Sequence, residues 1–291
     1  MEDILIISDL HGEFEPLLNY FAHKRQTNRF KVVLSAGDFF SYQCLVCRNP
    51  KGYHRNNCKS CQISTQDWKK DPLQHIAHRL HPYPLKFPLP IYTVDGNGEE
   101  YILKSWSQLY NIVNQKIHNL RFFESFETIK IGNLRVLGFP YGITRALRSA
   151  LNPDPSESEI RLFAKELGEK HGQPNIVLSH IPPFGAADIS RSPGMKKLRS
   201  LGSKEIRYLL EELEPELAIC GDLHYFQFAK MSRTHIFTLQ RPINNHFLPD
   251  KTIKRHLGNF LELRVFDKEI SIRARLQEKV RYKFLIRRFI S

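Results

Sequence analysis

Apolar and polar residues alternate along this chain with two periods. Short runs rich in β-branched residues recur at 4–8, 31–36, 91–94, 176–178 and 217–219, and their length and composition predict strands. Between them, Phe14, Leu17, Leu18 and Phe21 follow helical spacing and predict a helix over about 13–24, with another over 101–116. Ser156 and Glu159 form a capping-box pair that predicts a helix to about Lys170, and a helix over 203–213 stops ahead of Pro215. Runs at 126–131 and 134–139 flank Gly132-Asn133 and predict a hairpin. A late strand is read at 236–239, and a second hairpin over 260–265 and 270–274. Residues 41–89 are rich in Cys, Pro and charge and break the alternation, so they read as an insertion. The pattern predicts an α/β domain with mixed sheets, formed by 1–40 and 90–275, followed by a basic tail at 276–291.

Five blocks of oxygen and nitrogen donors each follow one of the apolar runs. They are Asp9-Leu10-His11, Gly37-Asp38, Gly96-Asn97, Ser179-His180 and Gly221-Asp222-Leu223-His224. One such block would be ordinary, since a lone His or Asp at a loop start usually just satisfies local hydrogen bonds. Five describe strand ends converging on one point, and Asp9, His11, Asp38, Asn97, His180, Asp222 and His224 can all ligate a metal. Hard oxygen donors with a few imidazoles suit Mn, Fe or Zn. A strand-end carboxylate can bridge two ions about 3.5–4 Å apart, a spacing that clamps a phosphoryl group. Asp38 is the candidate bridge, because Gly37 lets the backbone turn sharply ahead of it.

These blocks resemble those of the calcineurin-like metallophosphoesterases, whose pattern runs Asp-x-His, Gly-Asp, Gly-Asn-His-Asp/Glu, His, Gly-His-x-His. The resemblance runs from residue 4 to about 240 outside the insertion. Ser179-His-Ile-Pro-Pro-Phe-Gly185, Gly202-Ser-Lys-x-x-Arg207 and Leu217-Ala-Ile-Cys-Gly221 are similar to its small archaeal and bacterial phosphohydrolases. It implies a four-layer α/β/β/α sandwich with two divalent metal ions at one sheet edge. Asp9, His11 and His224 would hold one ion and Asn97, His180 and Asp222 the other, with Asp38 bridging; Asp38, Asn97 and His180 would be the catalytic set. The implied reaction is in-line attack of a metal-activated hydroxide on phosphorus. This sequence departs from the pattern twice: Gly98 stands where the family has His, and Asp222 where it has His. The first change removes a general acid worth roughly 10²–10⁴ in rate for poor leaving groups. Glu99, or a His from the insertion, is the candidate substitute.

Composition sharpens the picture in one respect. Hydrophobic residues at 41% and charged residues at 25% are ordinary for a globular chain, but the net charge is +13. That excess favours anionic substrates and polyanionic partners, nucleic acid among them, against the plainer reading of a generally basic proteome. Part of it lies in Arg191, Lys196, Lys197, Arg199 and Lys204, and in Lys251, Lys254 and Arg255. At the C-terminus, Lys279, Arg281, Lys283, Arg287 and Arg288 interleave with Tyr282, Phe284 and Phe289. That arrangement fits nucleic-acid binding and a final strand with a solvated basic face equally well. No apolar run approaches the roughly 20 residues that span a bilayer, and no signal-peptide pattern precedes residue 4, so the expectation is a cytoplasmic protein without a membrane partner.

The insertion carries Cys44-x-x-Cys47 and Cys58-x-x-Cys61, a spacing that builds a tetrahedral structural zinc site. Disulfides and redox use are the alternatives. Lys51, Tyr53, His54, Arg55 and Lys59 give the module a basic, aromatic tip that could touch nucleic acid or shape a lid. Cys220, alone on a strand, reads as an inert core residue. The sequence thus predicts a phosphoesterase, more readily of diesters than monoesters and with a nuclease or nucleotide phosphodiesterase as the sharper form. The alternative, motivated by Gly98 and Asp222, is a binding or scaffold protein on the same fold with weak or no catalysis.

Overall fold

Strand β1 (Glu2–Ile7) shows why the layers stack as they do. Its side chains alternate: Leu5 and Ile7 enter one buried cluster, and Ile4 and Ile6 enter another. In the computed structural model this two-sided burial is the rule for the central strands. The structure describes residues 2–12, 14–24, 29–39, 86–97, 99, 118–123, 126–190, 198–223, 225–239, 259–266, 269–276 and 279–287.

The first sheet combines β1 with β2 (Val32–Ser35), β3 (Lys86–Thr93), β4 (His118–Phe122), β13 (Phe260–Val265), β14 (Glu269–Leu276) and β15 (Lys279–Arg287), in the order β15-β14-β13-β1-β2-β3-β4. The second contains β5 (Glu127–Ile131), β6 (Leu134–Gly138), β7 (Ile176–Leu178), β10 (Leu217–Cys220), β11 (Gln227–Met231) and β12 (Thr234–Thr238), in the order β11-β12-β10-β7-β6-β5. A small ribbon pairs β8 (Ile189–Ser190) with β9 (Arg199–Ser200).

Three apolar clusters join the layers. Helix α1 (Glu15–Lys24) packs Leu17, Tyr20 and Phe21 on Leu5, Ile7 and Val33 of the first sheet. Between the sheets, Ile4, Ile6, Val32 and Leu34 meet Val136, Ile176, Leu178, Leu217, Ile219 and Phe237. Helices α2 (Ile143–Ala150), α3 (Glu157–His171) and α4 (Lys204–Leu213) cover the far side of the second sheet over Leu137, Val177, Ala218 and Ile236. The result is the four-layer α/β/β/α sandwich expected from the sequence.

Local chemistry matches the sequence reading at several element ends. The Glu159 amide donates to Ser156 Oγ, and Glu159 Oε2 accepts from the Ser156 amide at 2.8 Å, completing the capping box of α3. Gly132, at φ 56°, supplies the positive φ that the β5–β6 hairpin needs at the first turn position. Residues 279–287 form a final strand paired antiparallel to β14. Strand β3 begins at Lys86, inside the stretch read as insertion. The four cysteines at 44, 47, 58 and 61, the helix expected over 101–116 and the cations at 251–255 lie outside the described residues.

Strands β1, β2 and β3 run parallel, as do β6, β7, β10 and β12. Ligand sites in such sheets form beyond the carboxyl ends of the strands, and the donor blocks of the sequence lie there.

Candidate metal centre

The loops after β1 and β2 are locked together through their backbones. The Asp9 amide donates to Gly37 O at 3.0 Å, His11 N to Asp38 O at 2.8 Å and Gly12 N to Phe39 O at 2.9 Å. Within this lock Asp9, His11 and Asp38 have φ of 56°, 48° and 48°, and Asp222 has 68°. Left-handed backbone at a non-glycine residue is costly and persists where surrounding bonds impose it, most often at functional sites. Here it turns side chains that would otherwise continue the strand pleat.

Ligand atoms of Asp9, His11 and Asp38 all lie within 4.8 Å of one another. His11 Nδ1 is 3.5 Å from Asp38 Oδ2, and His11 Nε2 is 3.9 Å from Asp9 Oδ1. From the second sheet, His180 places Nε2 3.6 Å from Asp38 Oδ1 and 3.7 Å from Asp222 Oδ1. The Asp222 amide donates to Asp9 Oδ1 at 3.3 Å, tying the end of β10 to the end of β1. Asn97 completes the group. In one amide orientation its oxygen is 3.1 Å from His180 Nε2; in the other its NH₂ donates to Asp38 Oδ2 at 3.0 Å and Oδ1 at 3.3 Å. The same side chain can therefore offer a donor to Asp38 or an oxygen to a cation. Six of the seven sequence-predicted donors thus meet at one edge, while His224 lies outside the described residues.

Asp9, Asp38 and His180 are essentially inaccessible to solvent. Burial pulls the His180 pKa down, yet the carboxylates of Asp38, Asp9 and Asp222 and the Ala36 carbonyl outweigh it and raise the pKa to about 9. The pocket is thus strongly anionic.

Two glycines show how closely the carboxylates are cradled. A Cβ on Gly96 would fall 2.2 Å from Asp38 Oδ1, and one on Gly221 would fall 2.8 Å from Asp9 Oδ2. Carboxylates, imidazoles and an amide form an oxygen-rich donor set that fits Mn, Fe or Zn, so the residues present fit divalent cations.

Supporting groups surround these donors, and all but Glu99 carry no motif signal. The Ala36 carbonyl lies 2.8 Å from His180 Nδ1. Asp95 is buried and accepts the Tyr141 amide at 2.8 Å, and the Tyr141 ring meets the His180 ring edge-on at 5.7 Å. Glu99, the candidate substitute acid, is buried and accepts the Gly96 amide at 2.8 Å, which shapes the turn that presents Asn97. A carboxylate following the donor block three residues after a glycine was the available cue, and it reads as a cap rather than as an acid.

Comparison with known proteins follows the same lines. The model of the calcineurin-like phosphoesterase family matches residues 3–226. The chain belongs to the calcineurin-like phosphoesterases. A lariat debranching enzyme from Arabidopsis thaliana is 26% identical over 247 residues, covering 76% of this chain and 54% of that protein. The chain therefore spans about half the length of this relative. Among solved structures, GAP50, the anchor in the inner membrane complex of Plasmodium, superposes with a TM-score of 0.52 at 14% identity over 99% of this chain and 89% of that one. A purple acid phosphatase, PPD1 from yellow lupin (Lupinus luteus), gives 0.53 at 14% identity over 99% of this chain and 54% of that one. At such identities these two likenesses establish a shared fold and nothing finer. No helix among the described residues is long and apolar enough to cross a membrane.

Proposed function

We propose that this calcineurin-like phosphoesterase is a metal-dependent phosphodiesterase acting on a nucleic-acid or nucleotide substrate. The observation that carries the reading is the convergence of Asp9, His11 and Asp38 ligand atoms within 4.8 Å. Asp9 and His11, with His224, would hold one divalent ion and Asn97, His180 and Asp222 a second, with Asp38 between them. Such ions, when bound, supply Lewis-acid neutralisation of the phosphoryl oxygens and a nucleophile available near neutral pH.

The protein's own groups then have separable tasks. Ala36 O accepts a hydrogen bond from the Nδ1–H of His180, which leaves Nε2 to face the cluster. Asp222 brings a carboxylate where the family pattern has imidazole, which biases that half of the site toward harder ions such as Mn. Gly98 supplies no proton for a poor leaving group, which favours diesters whose leaving group departs without strong acid assistance. The net charge of +13 favours a polyanionic substrate. The related plant protein is named for debranching a lariat, a branched nucleic acid, which agrees in substrate class. A zinc-stapled module at Cys44, Cys47, Cys58 and Cys61 that shapes substrate access, and a cytoplasmic location, belong to this proposal as well.

Purified protein assayed with Mn²⁺ on aryl phosphodiester and aryl phosphomonoester substrates tests it, with Asp38→Asn as control. Diester turnover exceeding monoester turnover and abolished by the substitution is the expected result. Absence of turnover with Mn²⁺, Fe²⁺ or Zn²⁺ would overturn the enzymatic reading and leave a binding protein on this fold.

A further inference from the structure

Away from the metal centre, the open end of the core between the sheets is closed by aromatic rings rather than aliphatic side chains. Phe226 and Tyr282 stack with ring centroids 5.3 Å apart and an interplanar angle of 12°. Phe228 meets Phe284 at 4.6 Å and Phe237 at 5.0 Å, and Phe284 meets Phe237 at 5.0 Å. Phe237 is fully buried, so the cluster is rooted in the core. Its outer members are not covered: Tyr282 is 49% exposed and Phe228 42%. Rings held by a packed base with open faces are costly to leave in water unless something lies on them.

Charge says what that something is. Phe228 lies on β11 and Tyr282 and Phe284 on β15, the edge strands of the two sheets, while Phe226 just precedes β11 and Phe237 sits on the neighbouring β12. The sequences of β11 and β15, QFAKM and KVRYKFLIR, hold Lys230, Lys279, Arg281, Lys283 and Arg287 and no carboxylate. Lys230 and Lys283 are exposed. Lysine is depleted in the cores of protein–protein interfaces. Exposed aromatic faces bordered by cations are instead what single-stranded nucleic acid binds, its bases stacking on rings and its phosphates paired with the cations.

Position links the surface to the metal centre. Phe226 lies four residues beyond Asp222, so their Cα atoms are at most about 14 Å apart, the reach of four extended residues. A strand whose phosphodiester entered the metal centre would pass its neighbouring nucleotides along this rim.

We infer that Tyr282, Phe226 and Phe228, with Lys230, form a stacking platform for single-stranded nucleic acid flanking the scissile phosphodiester. This deepens the proposed phosphodiesterase reading and rests on it for the link to catalysis.

The test is binding of a fluorescein-labelled single-stranded RNA of about ten nucleotides, followed by anisotropy in EDTA through a salt series, so that no metal or turnover contributes. Tyr282→Ala is expected to raise Kd about tenfold, Tyr282→Phe to hold it within about twofold, and Lys230→Ala to flatten the salt dependence. Tyr282 is half-exposed, so an unchanged thermal midpoint in Tyr282→Ala separates stacking from misfolding. Equal affinity for parent and Tyr282→Ala would overturn the platform. So would sedimentation showing a dimer that Tyr282→Ala splits, since a second copy would then be what covers the rings. Aryl-diester turnover of the parent with Mn²⁺ is a separate readout: its failure beside intact, Tyr282-dependent RNA binding would refute the hydrolase and not the platform.

Discussion

The Nδ1 atom of His180 lies 2.8 Å from the backbone carbonyl of Ala36, the last residue before the Gly37-Asp38 turn. This bond crosses from the second sheet to the first and fixes which imidazole nitrogen faces Asp38. A ligating histidine held in this way by its other nitrogen is a common feature of metal sites, and disturbing such an arrangement typically costs 10–100-fold in affinity or activity. His180→Ala removes both the link and the ligand. Its expected effect is a loss of metal-dependent turnover of about 100-fold or more, with the binding of one of two ions missing in titration calorimetry. Unchanged calorimetry would strike His180 from the ligand set.

Two glycines make opposite predictions for one and the same substitution. At Gly221 an added Cβ would sit 2.2 Å from Ser8 Oγ and 2.8 Å from Asp9 Oδ2, with the Ala36 carbonyl 2.9 Å away. Gly221→Ala must therefore displace the carboxylate or the strand ends, and it is expected to lower stability by about 1–3 kcal/mol and weaken metal binding together. At Gly168, inside α3, the nearest atom to a new Cβ is Gln173 Oε1 at 3.4 Å, an ordinary contact. Gly168→Ala gains helix propensity and is expected to add about 0.5–1 kcal/mol without touching metal affinity. Urea denaturation of the two variants beside the parent reads both signs.

The central strands were legible because burial on both faces leaves continuous apolar runs, as in Ile4–Ile7 or Leu217–Cys220, followed abruptly by donors. Edge elements gave weaker signals. In β4 only Leu120 and Phe122 are buried and in β11 no residue is, so neither presents the continuous apolar run that marks a central strand. Strand β3 hides its first half behind Pro88 and Pro90, which lie where its pairing with β4 is interrupted between Lys86 and Ile91. The side-chain ligands of the centre could be read because carboxylate and imidazole are themselves the chemistry. Its other supports could not: the Ala36 carbonyl is backbone, and Asp95 and Tyr141 act through an amide bond and a ring edge that only the folded chain brings together.

In the first sheet, an ionic network joins two buried carboxylates, Asp3 on β1 and Glu262 on β13, to partly exposed arginines. Glu262 accepts from Arg29 Nη2 at 2.8 Å and Arg275 Nε at 2.5 Å, while Asp3 accepts from Arg264 Nε at 2.9 Å and Arg29 Nε at 3.3 Å. Burial, reinforced by Glu262, pushes the neighbouring Tyr20 hydroxyl up to about 12. Removing one member leaves others charged and uncompensated, which in buried pairs costs about 3–5 kcal/mol; the partial exposure of Arg29 and Arg275 brings the expectation for Glu262→Ala to about 2–3 kcal/mol. The loss should appear in urea denaturation while Mn²⁺ binding stays at the parent value. A parallel loss of metal binding would show that the network and the metal centre are coupled.

His235, on β12, carries a buried Nδ1 that has no hydrogen-bond partner among the described residues. Burial first, and the nearby Lys230 second, hold its pKa below the ordinary value of 6.5. The unfolded chain therefore binds this proton more readily than the folded one, so stability rises with pH across the interval between the two pKa values. The contribution of the neutral imidazole is complete above about pH 6.5 and is lost as pH falls through the folded value. Other histidines share this range, so the quantity to measure is the difference between parent and His235→Gln in unfolding free energy at pH 7.5 and pH 5. The parent is expected to lose more stability than the variant on acidification. An equal loss in both would show that this imidazole titrates alike in the folded and unfolded chains.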